Sequence, residues 1–71
     1  MAADSVYKVI DIVGVSEQSW EDAAAHAVAT ASKSIRDLRI AEVTKLDVTL
    51  EEGKVARFRT RLSVSFKYEE E

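Results

Sequence analysis

Residues 55–68 read VARFRTRLSVSFKY, and the stretch alternates from Ala56 to its end. Ala56, Phe58, Thr60, Leu62, Val64, Phe66 and Tyr68 fall on one parity. Arg57, Arg59, Arg61, Ser63, Ser65 and Lys67 fall on the other. Successive side chains of a strand point to opposite faces, so this is a half-buried strand with an apolar wall on one side and a basic, polar wall on the other. A helix would scatter the same apolar positions around its circumference. Whatever else the chain builds has to cover that wall.

The rest of the chain offers little material for doing so. Its 71 residues read as one domain, residues 1–71, and a domain of this size buries only about 60% of the surface its unfolded form exposes. Small domains usually add disulfides, a metal or self-association. There is no cysteine, which excludes disulfides and thiolate zinc sites. A single histidine, His26, excludes a multi-histidine metal site within one chain. Self-association is the most economical support that remains.

Residues 6–13 (VYKVIDIV) are β-branched and mostly apolar, a first strand that Gly14 is expected to end. Ser16 then offers an N-cap hydroxyl to a helix, with Glu17, Glu21 and Asp22 at its positive end. Trp20, Ala24, Ala27, Val28, Ala31, Ile35 and Leu38 form one helical stripe, which predicts a helix reaching residues 35–37. The stripe is largely alanine, so the helix lies close to what it covers. Residues 39–50 (RIAEVTKLDVTL) predict a second strand whose apolar parity switches near Thr44 and Lys45, the mark of a β-bulge or sharp bend. Residues 51–54 (EEGK) supply a turn in which Gly53 takes positive φ. Residues 1–5 and 69–71 read as frayed ends.

The order β-α-β-β predicts an α+β fold, one helix over one face of a three-stranded antiparallel sheet. Nothing in the chain covers the other face, which carries Arg57, Arg59 and Arg61. Ile40 shares parity with Glu42 and Thr44 and falls on that outer face. A large aliphatic among charges on an open sheet points to a packed seam. The arginines are expected to pair with Glu42 or with acids of neighbouring chains, so Glu42, Arg57 and Arg61 are candidate interface charges.

Ten basic against thirteen acidic residues give a formal charge of −3, which argues against a nucleic-acid module. No basic segment precedes a long apolar run, and the apolar runs fall far short of the ~20 residues that span a bilayer. The expectation is a soluble, cytoplasmic protein with no membrane partner. No set of residues assembles a nucleophile, a base and an oxyanion hole, so no enzymatic activity is expected. His26, four residues after Asp22, reads as half of a surface pair, and Trp20 as a packing residue at the helix start.

Four features in order resemble the dodecin family: the opening VYKVIDIVG, the capped alanine-rich helix, AEV at 41–43, and VSF at 64–66 closing an alternating strand. They run from Val6 to Tyr68. The resemblance implies a curved sheet wrapping its helix and a hollow homododecamer of cubic symmetry built from trimers and dimers. It also implies flavin (riboflavin, lumichrome or FMN) held in pairs at twofold interfaces, for storage and not for redox catalysis. Flavin-binding members carry a tryptophan just before the second strand's F/A-E-V, stacked on the isoalloxazine, and a glutamine on the third strand. Those positions are Ile40 and Arg59 in this sequence. Isoleucine has no π face, and arginine cannot accept a hydrogen bond from the ring N–H. Losing the stack costs about 1–3 kcal/mol per ring face, by analogy with base stacking.

SVYKVIDI, Ser19-Trp20-Glu21 and VSFK also resemble a tryptophan-lacking branch described as binding calcium. Calcium takes about six to eight oxygens. Asp11, Asp37, Glu42, Asp47, Glu51 and Glu52 are available, but without a D-x-D-x-D-G loop a site has to be assembled from several chains, and its metal ligands are not legible. The sequence therefore predicts a dodecin-like dodecameric shell for binding or storing a small ligand, flavin being the family's ligand. The alternative is a calcium- or ion-binding or purely structural shell. A monomeric or dimeric interaction module is the third possibility.

Overall fold

The computed structural model describes residues 5–68; of the frayed ends expected at residues 1–5 and 69–71, all but Ser5 lie outside them. Four elements follow one another: β1 (Tyr7–Ser16), α1 (Trp20–Ala31), β2 (Leu38–Glu51) and β3 (Lys54–Lys67). The sheet order is β1-β3-β2 with both pairings antiparallel, so the strictly alternating strand is the central one. This is the expected β-α-β-β arrangement of three strands and one helix.

The central strand's apolar parity forms the core. Thr60, Leu62 and Val64 are almost fully buried beneath Ala23 and Ala27 of the helix, with Ile10, Ile12, Ala24, Val28 and Leu38 packed around them. A buried leucine or valine stabilises by about 1.5–3 kcal/mol, and few large side chains reach that state. The shape explains why. Strands of 14 residues run about 46 Å at ~3.3 Å per residue, whereas a 12-residue helix covers about 18 Å. The β2–β3 hairpin therefore projects well past the helix, and the principal extents are 57 × 20 × 15 Å.

Gly14 does not end β1; it lies inside it, opposite Thr60. A Cβ there would collide with the backbone carbonyl of Ala23 and stand 2.9 Å from Ala27 Cβ. The glycine is required because the alanine face of α1 rests directly on the strand. Sequence patterning reads glycine as a breaker, and tertiary contact decided otherwise.

The helix begins and ends differently from expectation. Ser19, not Ser16, is the N-cap: its hydroxyl accepts from Asp22 N at 2.9 Å, with Glu21 and Asp22 in the first turn. Ser16 is still within β1, where its hydroxyl donates to Asp22 Oδ2 at 2.7 Å and accepts from Gln18 N at 2.8 Å. The helix stops at Ala31, short of residues 35–37, and Ser32 Oγ donates to Ala29 O at 2.9 Å. Serine side chains that bond to nearby backbone compete with helix continuation. Asp37 then takes φ 60°, turning the chain into β2. Ile35 and Leu38, the end of the predicted stripe, still bury part of their surface from that turn and the start of β2.

The phase break in β2 is a bulge: Val43 pairs with Leu62 and Lys45 with Arg61, leaving Thr44 as the extra residue. Thr44 Oγ1 donates to Arg61 O at 3.2 Å. The hairpin tip places Glu52 at φ 53° and Gly53 at φ 78°, the two positive angles of a type I′ turn.

The two glycines separate steric from conformational roles. A Cβ added at Gly53 would meet only open space, so Gly53→Ala costs only the positive φ, about 1 kcal/mol. Gly14→Ala has to displace the helix backbone and is expected to cost on the order of 3 kcal/mol. Urea denaturation of both variants checks the order; equal losses would mean that α1 does not sit on Gly14.

Candidate functional site

The outer face of the sheet can be built row by row from the register. In each row a β3 residue stands between a β1 and a β2 neighbour. Ser65 lies between Val9 and Ile40, Ser63 between Asp11 and Glu42, Arg61 between Val13 and Lys45, and Arg59 between Val15 and Asp47; Arg57 faces Thr49 on β2 alone. The face is therefore banded: an apolar row, an acidic row, a basic row, and a row in which arginine meets aspartate. Val9, Val13, Val15 and Ile40 are all exposed on it, Ile40 by 65%.

Arg59 is held within its own chain. Its Nε donates to Asp47 Oδ1 at 2.8 Å and its Nη2 to Asp47 Oδ2 at 3.1 Å, a bidentate fork that fixes both side chains. The hydrogen bond from Arg59 holds the Asp47 carboxyl below the usual carboxylate range. Partial desolvation opposes this, and the charges of Arg59, Lys45 and Arg61 add to it. The same hydrogen bond raises the pKa of Arg59. Behind the pair, Trp20 Nε1 donates to Asp47 O at 3.0 Å, and the indole meets Phe58 edge-on with centroids 5.2 Å apart. Trp20 O in turn accepts from Thr60 Oγ1 at 2.9 Å. The helix start thus packs as expected and also anchors the backbone of the edge strand that carries Asp47.

The other arginines of the ladder differ from Arg59. Arg57 approaches Glu17 at a long 3.9 Å. Arg61 faces Lys45, a like charge, across the ladder. Glu42 stands opposite Ser63, not opposite an arginine. His26 and Asp22 form the expected surface pair at 3.5 Å, on the far side of the molecule.

Ile40 and Arg59, the two positions that the resemblance assigns to a flavin pocket, do not meet in one chain. Ile40 is opposite Ser65, six residues along β3 from Arg59, or about 20 Å at strand spacing. A pocket containing both has to be shared between copies. Sequence reasoning missed two participants. Asp47 was one acid among six, and Lys45 was seen only as the site of a phase change. That phase change signalled that both look outward, since it puts Leu46 and Val48 on the helix side, but it did not identify Arg59 as the partner of Asp47.

The Dodecin family model matches residues 6–69. Calcium dodecin of Mycobacterium tuberculosis is 49% identical over 63 residues, covering 89% of this chain and 89% of that protein. A solved structure of that calcium dodecin, described as having a novel calcium-binding site, shares 50% identity at a TM-score of 0.81, covering 92% of this chain and 93% of that one. Dodecin from Streptomyces coelicolor superposes at a TM-score of 0.91 with 33% identity, over 99% of this chain and all of that one.

The Asp47–Arg59 fork has a defined pH signature. The folded carboxyl titrates below its unfolded value, so between the two values the unfolded chain binds more protons. The contribution is complete above the unfolded carboxylate value, near pH ~4, and is lost as pH falls through the depressed one. Thermal unfolding between those pH values is expected to steepen in the parent protein and to flatten in Asp47→Asn. Parallel curves would mean that the fork is not maintained in solution.

Proposed function

The chain belongs to the dodecin family, and we propose that it forms a homododecameric, calcium-binding shell in which the family's flavin positions no longer serve flavin. The observation that carries this reading is the Asp47–Arg59 fork. Where flavin-binding members place a glutamine that donates and accepts, Arg59 spends its Nε and Nη2 donors on Asp47 of its own strand pair. A flavin edge would have to break that fork, and Ile40 offers no stacking in return.

Calcium is favoured by the likeness to calcium dodecin of Mycobacterium tuberculosis and by the oxygen donors on the outer face. Asp11 and Glu42 flank the Ser63 hydroxyl in one row. Among the described residues, no group of three or more acidic, histidine or cysteine side chains gathers at one point. An ion wanting about six to eight oxygens therefore needs the rows of more than one copy. Asp11, Glu42 and Ser63 are the residues that would hold it, and such an ion would lock copies together.

Self-association is supported on both sides of β2. Ile40 is exposed on the outer face, while Val43 and Leu46, of inward parity, are about half exposed because α1 barely reaches β2. Between them and the helix lies an apolar groove of about 230 Å³, lined by Trp20, Glu21, Ala24, Val43, Leu46 and Thr60. Neighbouring copies would cover both surfaces, with Glu42 and Arg57 as seam charges. The proposed role is binding, with the Ser16 hydroxyl taken up in local hydrogen bonds to Asp22 Oδ2 and from Gln18 N.

Light scattering with calcium and riboflavin titrations tests the reading. The expected result is a mass near twelve protomers, saturable calcium binding that Glu42→Gln weakens at least tenfold, and riboflavin fluorescence left unquenched. Quenching by the parent protein would restore flavin storage, and a monomer or dimer would remove the shell. The double variant Ile40→Trp with Arg59→Gln is expected to gain riboflavin quenching. An assembled double variant that leaves the fluorescence unchanged would show that these positions do not face a flavin pocket.

A further inference from the structure

The basic row next to the acidic one has no ligand role in this reading, yet it is built in an unusual way. Lys45 and Arg61 are direct cross-strand partners, and like charges in that position are destabilising. The irregularities at Ala56 and Thr44 together create the juxtaposition, since the pairing on either side of them would set Lys45 opposite Thr60. The Thr44 hydroxyl fixes the bulge by donating to the carbonyl of Arg61 itself. Together with Arg59, Asp47 and Val13, the two cations line a small cup of about 90 Å³. That is room for about three waters at ~30 Å³ each, the scale of a tetrahedral oxyanion.

The charge in the cup is uncompensated. Three cations face one carboxylate, and both oxygens of that carboxylate are already taken by Arg59. Asp11 and Glu42 stand one row away, and among the described residues neither forms an ion pair with Lys45 or Arg61. The concentration of positive charge is local, because the whole chain carries −3. Val13 lines the cup opposite Arg61 with hydrocarbon and offers no competing charge.

We propose that Lys45 and Arg61, oriented by the Thr44 bulge and flanked by the Asp47–Arg59 fork, form a binding site for a small phosphate-type oxyanion. Arg61 supplies a planar fork of donors and Lys45 a mobile point charge, the usual division of labour at phosphate sites. The Asp47–Arg59 fork closes one side of the cup and directs both Asp47 oxygens to Arg59, so that among the described residues Lys45 and Arg61 keep their hydrogen-bond donors free. The site does not require calcium, which belongs to the neighbouring row.

The test is isothermal titration of the full chain with inorganic phosphate, at fixed ionic strength and with a chelator present so that calcium plays no part. The expected result is saturable binding, with Lys45→Gln and Arg61→Gln each raising Kd at least tenfold. Lys33→Gln, remote from the cup, should stay within twofold. Absence of saturable binding to the parent protein overturns the proposal, and so does equal weakening by Lys33→Gln, which would reveal only diffuse charge attraction. If the cup variants change the assembly mass, phosphate-induced NMR shifts in the parent protein decide the matter. Shifts at Lys45 and Arg61 but not at Lys33 support the site; their absence overturns it.

Discussion

The register of β2 against β3 is the constraint on which the outer face depends. The two-residue turn sets the pairing of Glu51 with Lys54, but that count does not hold along the hairpin. Between Thr49–Arg57 and Leu50–Val55, Ala56 is an extra residue on β3. Between Val43–Leu62 and Lys45–Arg61, Thr44 is an extra residue on β2. These two irregularities cancel, so the window between them is offset by one from the pairing on either side; a third, at Arg39 between Leu38–Phe66 and Ile40–Ser65, lies at the start of β2. In that window Leu46 and Val48 oppose Thr60 and Phe58 on the helix side, while Lys45 and Asp47 oppose Arg61 and Arg59 outside. A single uncompensated slip would turn one whole half of β2 inside out. Bulges of this kind re-aim side chains, and here they bring a carboxylate and a lysine to the arginine ladder.

That register only matters because the sheet outgrows its helix. The core is held by the close approach of alanines to Gly14 and to the central strand, a contact that gains packing density from small residues but buries little area. The consequence is an edge strand, β2, that carries apolar side chains toward both faces and has too little of its own chain over either. A monomer would have to tolerate this exposure. The proposed shell makes it useful, because every copy offers the same uncovered strand and closed symmetry lets identical surfaces cover one another.

The sequence made the three strands, the helix and their order legible, because strict alternation and a long alanine-rich stripe are strong periodic signals. It also marked the bulge, through the parity switch beside Thr44. What it hid is tertiary in origin. Gly14 looks like a stop signal unless one knows that Ala23 is pressed against it. Ser16 and Ser19 are both suitable caps by type, and only the entry angle of the chain chooses between them. The partner of Arg59 was hidden for a different reason. Counting back from the turn places Asp47 opposite Phe58, and the irregularity at Ala56 that moves it opposite Arg59 leaves no trace in the alternation of β3. The outer face could be assigned to the arginines from sequence, but not the carboxylate that engages one of them.

The banding of that face has an electrostatic consequence for the two proposed sites. The acidic row of Asp11, Ser63 and Glu42 and the basic row of Val13, Arg61 and Lys45 are neighbours along β3, about 7 Å apart at strand spacing. At that separation, less than a Debye length in physiological salt, charges in the two rows feel one another. With neither ion bound, the rows attract and partly screen each other. A cation in the acidic row leaves the basic row less compensated, and an oxyanion in the basic row does the converse. Each ion then restores the balance that the other disturbs, so the two sites are coupled with positive sign, and by linkage the coupling is the same in both directions. The Asp47–Arg59 fork sits beyond the basic row and is already neutral. It therefore adds little net charge to that exchange and acts mainly as a wall of the cup. This arrangement explains why one arginine of the ladder is paired within the chain while its neighbour is left facing a lysine.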